Sequence, residues 1–184
     1  MSQEVTGVIM AGGKSSRMGT DKGLLLYQGK PLSQYAVDVL KPFCTEILIS
    51  TQNEEYARFG LPLVPDEIPG CGPIGGIYSA LKASKTSFLL ILGCDMPRIS
   101  SHTIEKLLSH IGNYDCVIPL VASKPEPLCA VYSKKLLNRI ACNIKKGEFA
   151  LYRLIKNSNT FFVDFENNLS EFTNINTPDE LKIN

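Results

Sequence analysis

The chain has 184 residues, enough for one domain with a sizeable core, and its 44% hydrophobic and 20% charged content is ordinary for a soluble globular protein. A formal net charge of +1 provides no global field to recruit nucleic acid or an acidic membrane, so a polyanion must be bound locally. No apolar run approaches the ~20 residues that cross a bilayer, and the start lacks the charged and apolar regions of a secretory signal. A cytoplasmic protein with no membrane or nucleic-acid partner is expected.

Residues 5–10 (VTGVIM) form a short apolar run that ends in glycines, as a central parallel strand does. Pro31 opens PLSQYAVDVLKPF, where Leu32, Tyr35, Ala36, Val39 and Leu40 recur at helical spacing. EILIS (46–50) reads as a strand, NEEYARF (53–59) as a short helix capped by Asn53, and LPLV (61–64) as another strand. The loop PDEIPGCGP leads into a helical pattern over 72–84.

The strongest strand signal lies in SFLLILGCDMP (87–97), followed by a helix over 100–112 with a Ser cap and a Gly stop. Strands at 115–121 and 128–132 flank the turn SKPEP, and helices cover SKKLLNRIACNIKK and FALYRLIKN. TFFVDF (160–165) and EFTNI (171–175) read as late strands, and TPDELKI as a closing helix. There is no internal repeat, low-complexity tract or linker.

Alternation of strand and helix through the first ~110 residues predicts an α/β fold, a mostly parallel, doubly wound sheet with helices on both faces. Ligands in such sheets bind beyond the carboxyl ends of the strands. Residues 11–22, 65–73 and 93–97 all follow predicted strands and should therefore meet on one edge.

The six cysteines are scattered without a CxxC pair, and His102 and His110 share one helical stretch without an HExxH pattern. These spacings argue against zinc and for a thiol-reduced compartment. His102 and His110 read as helix-surface residues.

The chemistry concentrates in GVIMAGGKSSRMGTDK (7–22). Its glycines let backbone N–H groups approach phosphate oxygens, and Lys14, Arg17 and Lys22 supply cations, as a nucleoside triphosphate requires. GGKS resembles the end of a Walker A loop, but that motif needs Gly where Val8 stands. GCGPIG (70–75) matches a dinucleotide-binding GxGxxG literally, yet PDEIP separates it from the preceding strand, so the tight strand-to-helix turn is missing.

The series AGGKSSRMGTDK, PDEIPGCGPIGGIYSAL, LGCDMP, PEPLCAVY and FTNINTPDEL, in order and across nearly the whole chain, resembles the molybdenum cofactor guanylyltransferases (MobA). The resemblance implies the nucleotide-diphospho-sugar transferase fold over one domain, 1–184, with a nucleotide-binding part (1–110) and an acceptor-binding part (111–184). It implies transfer of GMP from GTP to molybdenum-bound molybdopterin, giving molybdopterin guanine dinucleotide and pyrophosphate, with Mg²⁺ as cofactor. Molybdoenzymes would receive the product.

By the same resemblance, the backbone of Met10, Ala11 and Gly12 contacts guanine and ribose, and Gly13 permits close approach. Arg17 and Lys22 bind the triphosphate and stabilise the leaving pyrophosphate, Arg by bidentate contact and Lys as a point charge. Asp95, at the end of the strongest strand, is placed to bind Mg²⁺ and serves with Arg17 and Lys22 in catalysis. Asp66 is a nucleotide-side residue, while Glu126, Asn174 and Asn176 resemble segments facing the pterin.

Asp21 is open between a solvent-facing acid and a partner orienting Lys22, and Lys14 between phosphate contact and an exposed lysine. Gly70, Gly72, Gly75 and Gly76 read as packing glycines. One departure stands out: the family often carries Asn where Ser50 falls here, and Asn53 is the nearby candidate for that contact. The rival readings are a cytidylyl-transferring relative, a sugar-1-phosphate nucleotidyltransferase, and a non-catalytic molybdopterin or nucleotide carrier.

Overall fold

A computed structural model describes residues 4–12 and 21–175. β1 (Val5–Met10), β4 (Glu46–Ser50), β5 (Leu63–Val64) and β6 (Phe88–Gly93) run parallel, with β1 between β4 and β6. The crossovers are α1 (Leu32–Leu40), a 3₁₀ helix (Glu54–Phe59) and α2 (Pro73–Ala83). The remaining elements in chain order are α3 (Ser101–Leu108), β7 (Cys116–Val121), β8 (Lys124–Pro125), β9 (Cys129–Ser133), α4 (Leu137–Lys145), α5 (Leu151–Lys156) and β10 (Thr160–Asp164).

The sheet order is β10-β7-β9-β6-β1-β4-β5, with β8 paired to β7. β9 alone on that path runs against its neighbours, because it returns from β7 through the short 122–128 connection and inserts between β7 and β6. A chain too short between strands for a crossover helix must reverse direction. The reversal carries the loop before β9 to the same edge as the carboxyl ends of the parallel strands.

Strand alternation divides the core into two layers. Val5 and Ile9 of β1 and Leu90 and Leu92 of β6 pack with Ala36 and Leu40 of α1 and Ile104 and Leu107 of α3. Val8, Met10, Leu89 and Ile91 pack on the other face with Ile74, Ile77 and Leu81 of α2, Ile140 of α4 and Leu154 of α5. Fully burying each large aliphatic side chain contributes about 1.5–3 kcal/mol before chain entropy is counted. Helices therefore cover both faces of a mostly parallel sheet, as the alternation predicts.

The boundaries differ from the periodicity in instructive places. Asn53 caps its helix as expected, its Oδ1 accepting from Glu55 N–H at 3.0 Å, but the helix is 3₁₀ and ends at Gly60 in the left-handed region (φ 66°). Ser100 caps α3, whose regular part stops at Leu108 before two turns lead to Gly112. An unforeseen hairpin, β2 (Leu26–Tyr27) and β3 (Lys30–Pro31), turns at Gln28 and Gly29, both with positive φ.

Residues 171–175 are not a strand. A 3₁₀ segment (Glu166–Phe172) ends there, because Glu171 turns its carboxylate onto the start of α3. Its Oε2 accepts from Ser100 N–H at 3.0 Å and from Thr103 Oγ1 at 2.8 Å, while Phe172 packs on Phe165. Burial opposes ionisation of Glu171, but the bonds from Asn168, Ser100 and Thr103 outweigh it and hold its carboxyl below the usual range. His110 also departs from expectation, since it stacks on Phe161 with ring centroids 4.2 Å apart and is not a bare surface residue.

Cys71, Cys94, Cys116 and Cys129 are buried and all six cysteines are free thiols. The closing TPDELKI segment lies outside the described residues.

Candidate active site

The carboxyl ends of β1, β4 and β6 are in register at Met10, Ser50 and Gly93, and the loops that follow are stitched together by backbone bonds. Ala11 N–H donates to the Ser50 carbonyl at 3.1 Å, Cys94 N–H to Met10 at 3.2 Å, and Thr51 N–H to Val64 at 3.1 Å. Gly93 N–H donates to Leu128 at 2.7 Å, which brings in the loop before β9. Residues 11–12, 21–22, 65–73 and 93–97 thus meet on one edge, as expected.

On that edge Lys22 Nζ lies 2.7 Å from Asp95 Oδ2, with side-chain exposures of 17% and 23%. The pair is 73 residues apart in sequence and joins the start of the edge to its centre. Lys22 opens a 3₁₀ turn (Lys22–Leu24) that Asp21 caps, its Oδ1 accepting from Gly23 N–H. Asp21 also accepts from the Tyr56 hydroxyl and, at 3.3 Å, from Asn53 Nδ2. Asp21 is therefore a structural tie that fixes the turn carrying Lys22, the role that residue identity alone left open.

This tie leaves little room. A Cβ on Gly23 would collide with the Tyr56 oxygen and with Ser33 Oγ. Beneath it, burial pushes the Cys94 thiol up to about 12, and the negative charges of Asp95 and Asp21 add to the effect. Cys94 is a packing residue, not a nucleophile.

Met10 and Asp66, expected on the nucleotide side, converge with Ser50 on α2. A Cβ on Gly76 would lie 2.6 Å from Ser50 Oγ, 2.7 Å from Met10 Cε and 3.3 Å from Asp66 Oδ1. Gly75 approaches the same Asp66 carboxylate and the Ile68 carbonyl. Gly75 and Gly76 are thus packing glycines as expected, whereas Gly70 and Gly72 face open space and are required instead by their backbone, with φ of 84° and 66°. Burial raises the Asp66 carboxyl above its ordinary value.

Two of the expected contacts are altered by this packing. Ala11 is buried and its N–H is committed to Ser50, whereas Gly12 is exposed at the edge. Asn53 has both ends of its amide engaged, with Glu55 and Asp21, and so braces the Lys22 turn. Ser50 is the residue that touches the Met10–Asp66–Gly76 group.

Of the residues expected on the acceptor side, Glu126 and Asn174 are described. Glu126 Oε1 accepts from Leu128 N–H at 3.2 Å. Burial raises its carboxyl, and the charge of Asp95 raises it further. Ile175 N–H donates to the Asp95 carbonyl at 2.9 Å, and Ile175 packs with Tyr27 and Leu32, which seats Asn174 beside Asp95. Asn174 Oδ1 is buried with no hydrogen-bond partner among the described residues. Gly13, Lys14, Arg17 and Asn176 lie outside the described residues.

The sequence did not mark Tyr56 or Gly23 as parts of the site. Gly23 directly follows the lysine of the loop, and Tyr56 shares a short 3₁₀ segment with Phe59, so that it reads as an ordinary packing aromatic. Both signals become meaningful only once the fold brings them together.

Among the described residues there is no group of three or more His, Cys, Asp or Glu side chains that would cage a metal. Asp95 nevertheless suits Mg²⁺: it is a hard oxygen donor that already holds a cation, the Lys22 ammonium, at Oδ2. Mg²⁺ is commonly held by one or two carboxylates, with substrate phosphates and water completing the shell.

The profile of the MobA-like NTP transferase domain matches residues 7–161. The chain belongs to this family. It is 36% identical over 181 residues to a probable molybdenum cofactor guanylyltransferase from Flavobacterium johnsoniae, covering 97% of this chain and 95% of the relative. It is 33% identical to the molybdenum cofactor guanylyltransferase of Vibrio vulnificus, over 95% and 91% of the two chains. The crystal structure of molybdopterin-guanine dinucleotide biosynthesis protein A from Archaeoglobus fulgidus superposes with a TM-score of 0.80 at 26% identity, covering 96% and 95%.

The MobA-like assignment fits the geometry described above. The fold is α/β of the nucleotide-diphospho-sugar transferase type, and the chain is a nucleotidyltransferase.

Proposed function

We infer that the protein transfers GMP from GTP to molybdenum-bound molybdopterin, forming molybdopterin guanine dinucleotide and pyrophosphate. Near-full-length similarity to guanylyltransferases supports the reaction, and the observation that carries the site is the Lys22–Asp95 pair at the edge where the strand ends meet. A terminal phosphate oxygen of the pterin attacks the α-phosphorus of GTP in line. The bond from that phosphorus to the bridging oxygen breaks, and its electron pair leaves on pyrophosphate.

Such a transfer asks the protein chiefly for positioning and charge neutralisation. Gly12 and Gly13 let the nucleotide approach the backbone, and Met10, Ala11 and Asp66 line the base and ribose side. Arg17 and Lys22 take the charge of the leaving pyrophosphate. Asp95 holds Mg²⁺, which when bound neutralises phosphate oxygens. Residues 1–110 serve the nucleotide, and 111–184 the acceptor through Glu126, Asn174 and Asn176.

Among the described residues no helix is long and apolar enough to cross a membrane. With its free thiols, the chain is read as cytoplasmic, delivering its product to molybdoenzymes.

Pyrophosphate release measured with GTP, CTP and ATP in the presence of molybdenum-molybdopterin tests this reading. GTP is the expected substrate, and a preference for CTP overturns it. Asp95→Asn should abolish turnover; a carrier would have none to lose.

A further inference from the structure

We propose that the Lys22–Asp95 ion pair is an exchangeable latch that couples metal binding to triphosphate binding, each opening the site for the other. The proposal rests on the reading of Asp95 as the metal ligand and Lys22 as a phosphate cation, and deepens it. The two carboxylate oxygens of Asp95 are not equivalent. Oδ1 lies against Gly93, where an added Cβ would be 2.9 Å away, so Oδ2 is the oxygen turned from the strand. Lys22 Nζ holds that oxygen at 2.7 Å.

A divalent cation arriving alone must displace an ammonium from the one well-presented oxygen, leaving two cations side by side. A triphosphate arriving alone draws Lys22 away and bares the Asp95 carboxylate next to its own negative charge, with Glu126 close behind. Arriving together they relieve both penalties, because the phosphates take Lys22 and the metal takes Asp95. The pair is only 17% and 23% exposed, so solvent screens it less than a surface pair. Linkage requires the coupling to be reciprocal, and effects of this kind are on the order of tenfold.

The experiment is a Mn²⁺ titration, followed by electron paramagnetic resonance, on nucleotide-free full-length protein. Lys22→Met removes the charge and keeps the stem, and should bind Mn²⁺ about tenfold more tightly than the unmodified protein. Lys22→Arg should stay as weak as the unmodified protein. Asp95→Asn should remove the site in either background. Equal affinity of the unmodified protein and Lys22→Met, with loss in Asp95→Asn, overturns the latch and leaves the metal site standing. Binding that ignores Asp95→Asn, or no binding to any variant, overturns both.

A second arm measures GTP binding in EDTA, which keeps the proposal testable if Lys22→Met fails to fold. Asp95→Asn should bind metal-free GTP more tightly than the unmodified protein, since the ion pair that holds Lys22 at Asp95 is broken and a repelling carboxylate is gone. Equal or weaker binding overturns the exchange.

Discussion

The Tyr56 hydroxyl donates to Asp21 across 35 residues of sequence, and that bond fastens the turn carrying Lys22 to the 3₁₀ crossover after β4. Tyr56 is fully buried, and its burial, with the Asp21 carboxylate beside the hydroxyl, holds the phenol in its protonated, donating form. Hydrogen bonds to charged partners contribute about 1.5–3 kcal/mol. Tyr56→Phe is expected to lose about 1–3 kcal/mol in urea unfolding, and to lower kcat by loosening the Lys22 turn. Unchanged kcat alongside lost stability would confine Tyr56 to folding.

Gly23 tests the same junction from the other side. A methyl group there runs into the Tyr56 oxygen and Ser33 Oγ, both on buried side chains. Overpacking of this kind costs about 1–3 kcal/mol. Gly23→Ala should destabilise by that amount, and Tyr56→Phe in the same chain should cost less than the sum of the two single changes because it removes the nearer clashing atom. Additive losses would mean that the methyl group is accommodated elsewhere.

On the nucleotide side, Gly76→Ala pushes against Ser50 Oγ, Met10 Cε and the Asp66 carboxylate at once. Met10 is a flexible chain that yields cheaply, whereas Ser50 is buried in the sheet. The expected outcome is a rise in the KM for GTP of about tenfold, equivalent to ~1.4 kcal/mol, with the acceptor KM little changed. Steady-state kinetics with each substrate varied in turn checks this split. An effect on the acceptor alone would move the base pocket away from α2.

Much of this site was legible because the rule that organises it needs little information. Alternating strands and helices place the loops after β1, β5 and β6 on one edge whatever their contents, so Lys22, Asp66 and Asp95 could be gathered before any distance was known. What stayed hidden depends on contacts between distant residues. Glu171 reads as the start of an alternating strand, yet it caps α3 through Ser100 and Thr103. Asn53 reads as a helix cap and as the candidate for a nucleotide contact; the cap on Glu55 is present, and what stayed out of sight is the bond from its amide to Asp21. The Gln28–Gly29 turn did carry a local signal, since paired positive φ suits a tight hairpin, but strands as short as Leu26–Tyr27 show no period.

The carboxyl of Glu126 is raised above its ordinary value of 4.5, first by burial and then by the charge of Asp95. A carboxyl raised on folding binds protons more readily in the native chain, so stability falls as pH rises from 4.5 through the folded value. Below that window both states are protonated and nothing is lost; above it the full cost of holding the charge is present. Glu126→Gln keeps an oxygen for Leu128 N–H and removes the charge. The variant should melt at a higher temperature than the unmodified protein near neutral pH, with the gap closing toward pH ~4. Thermal melts across that range check it, and a gap independent of pH would show that packing, not charge, sets the difference.

Ile175 links the end of the described chain to Asp95. Its N–H donates to the Asp95 carbonyl at 2.9 Å, while its side chain is buried with Tyr27 and Leu32. Truncating a buried isoleucine to alanine costs about 2–5 kcal/mol when the site cannot collapse, and less where a terminal segment can lift away. Ile175→Ala should therefore release the Asn174 segment before it unfolds the sheet. If that segment faces the pterin, the KM for the acceptor rises at least several-fold while the KM for GTP and the affinity for metal-free GTP hold steady. Parallel loss of both substrates would instead assign the segment to the support of Asp95 itself, and Ile175→Val, which keeps most of the buried side chain, should restore whichever function was lost.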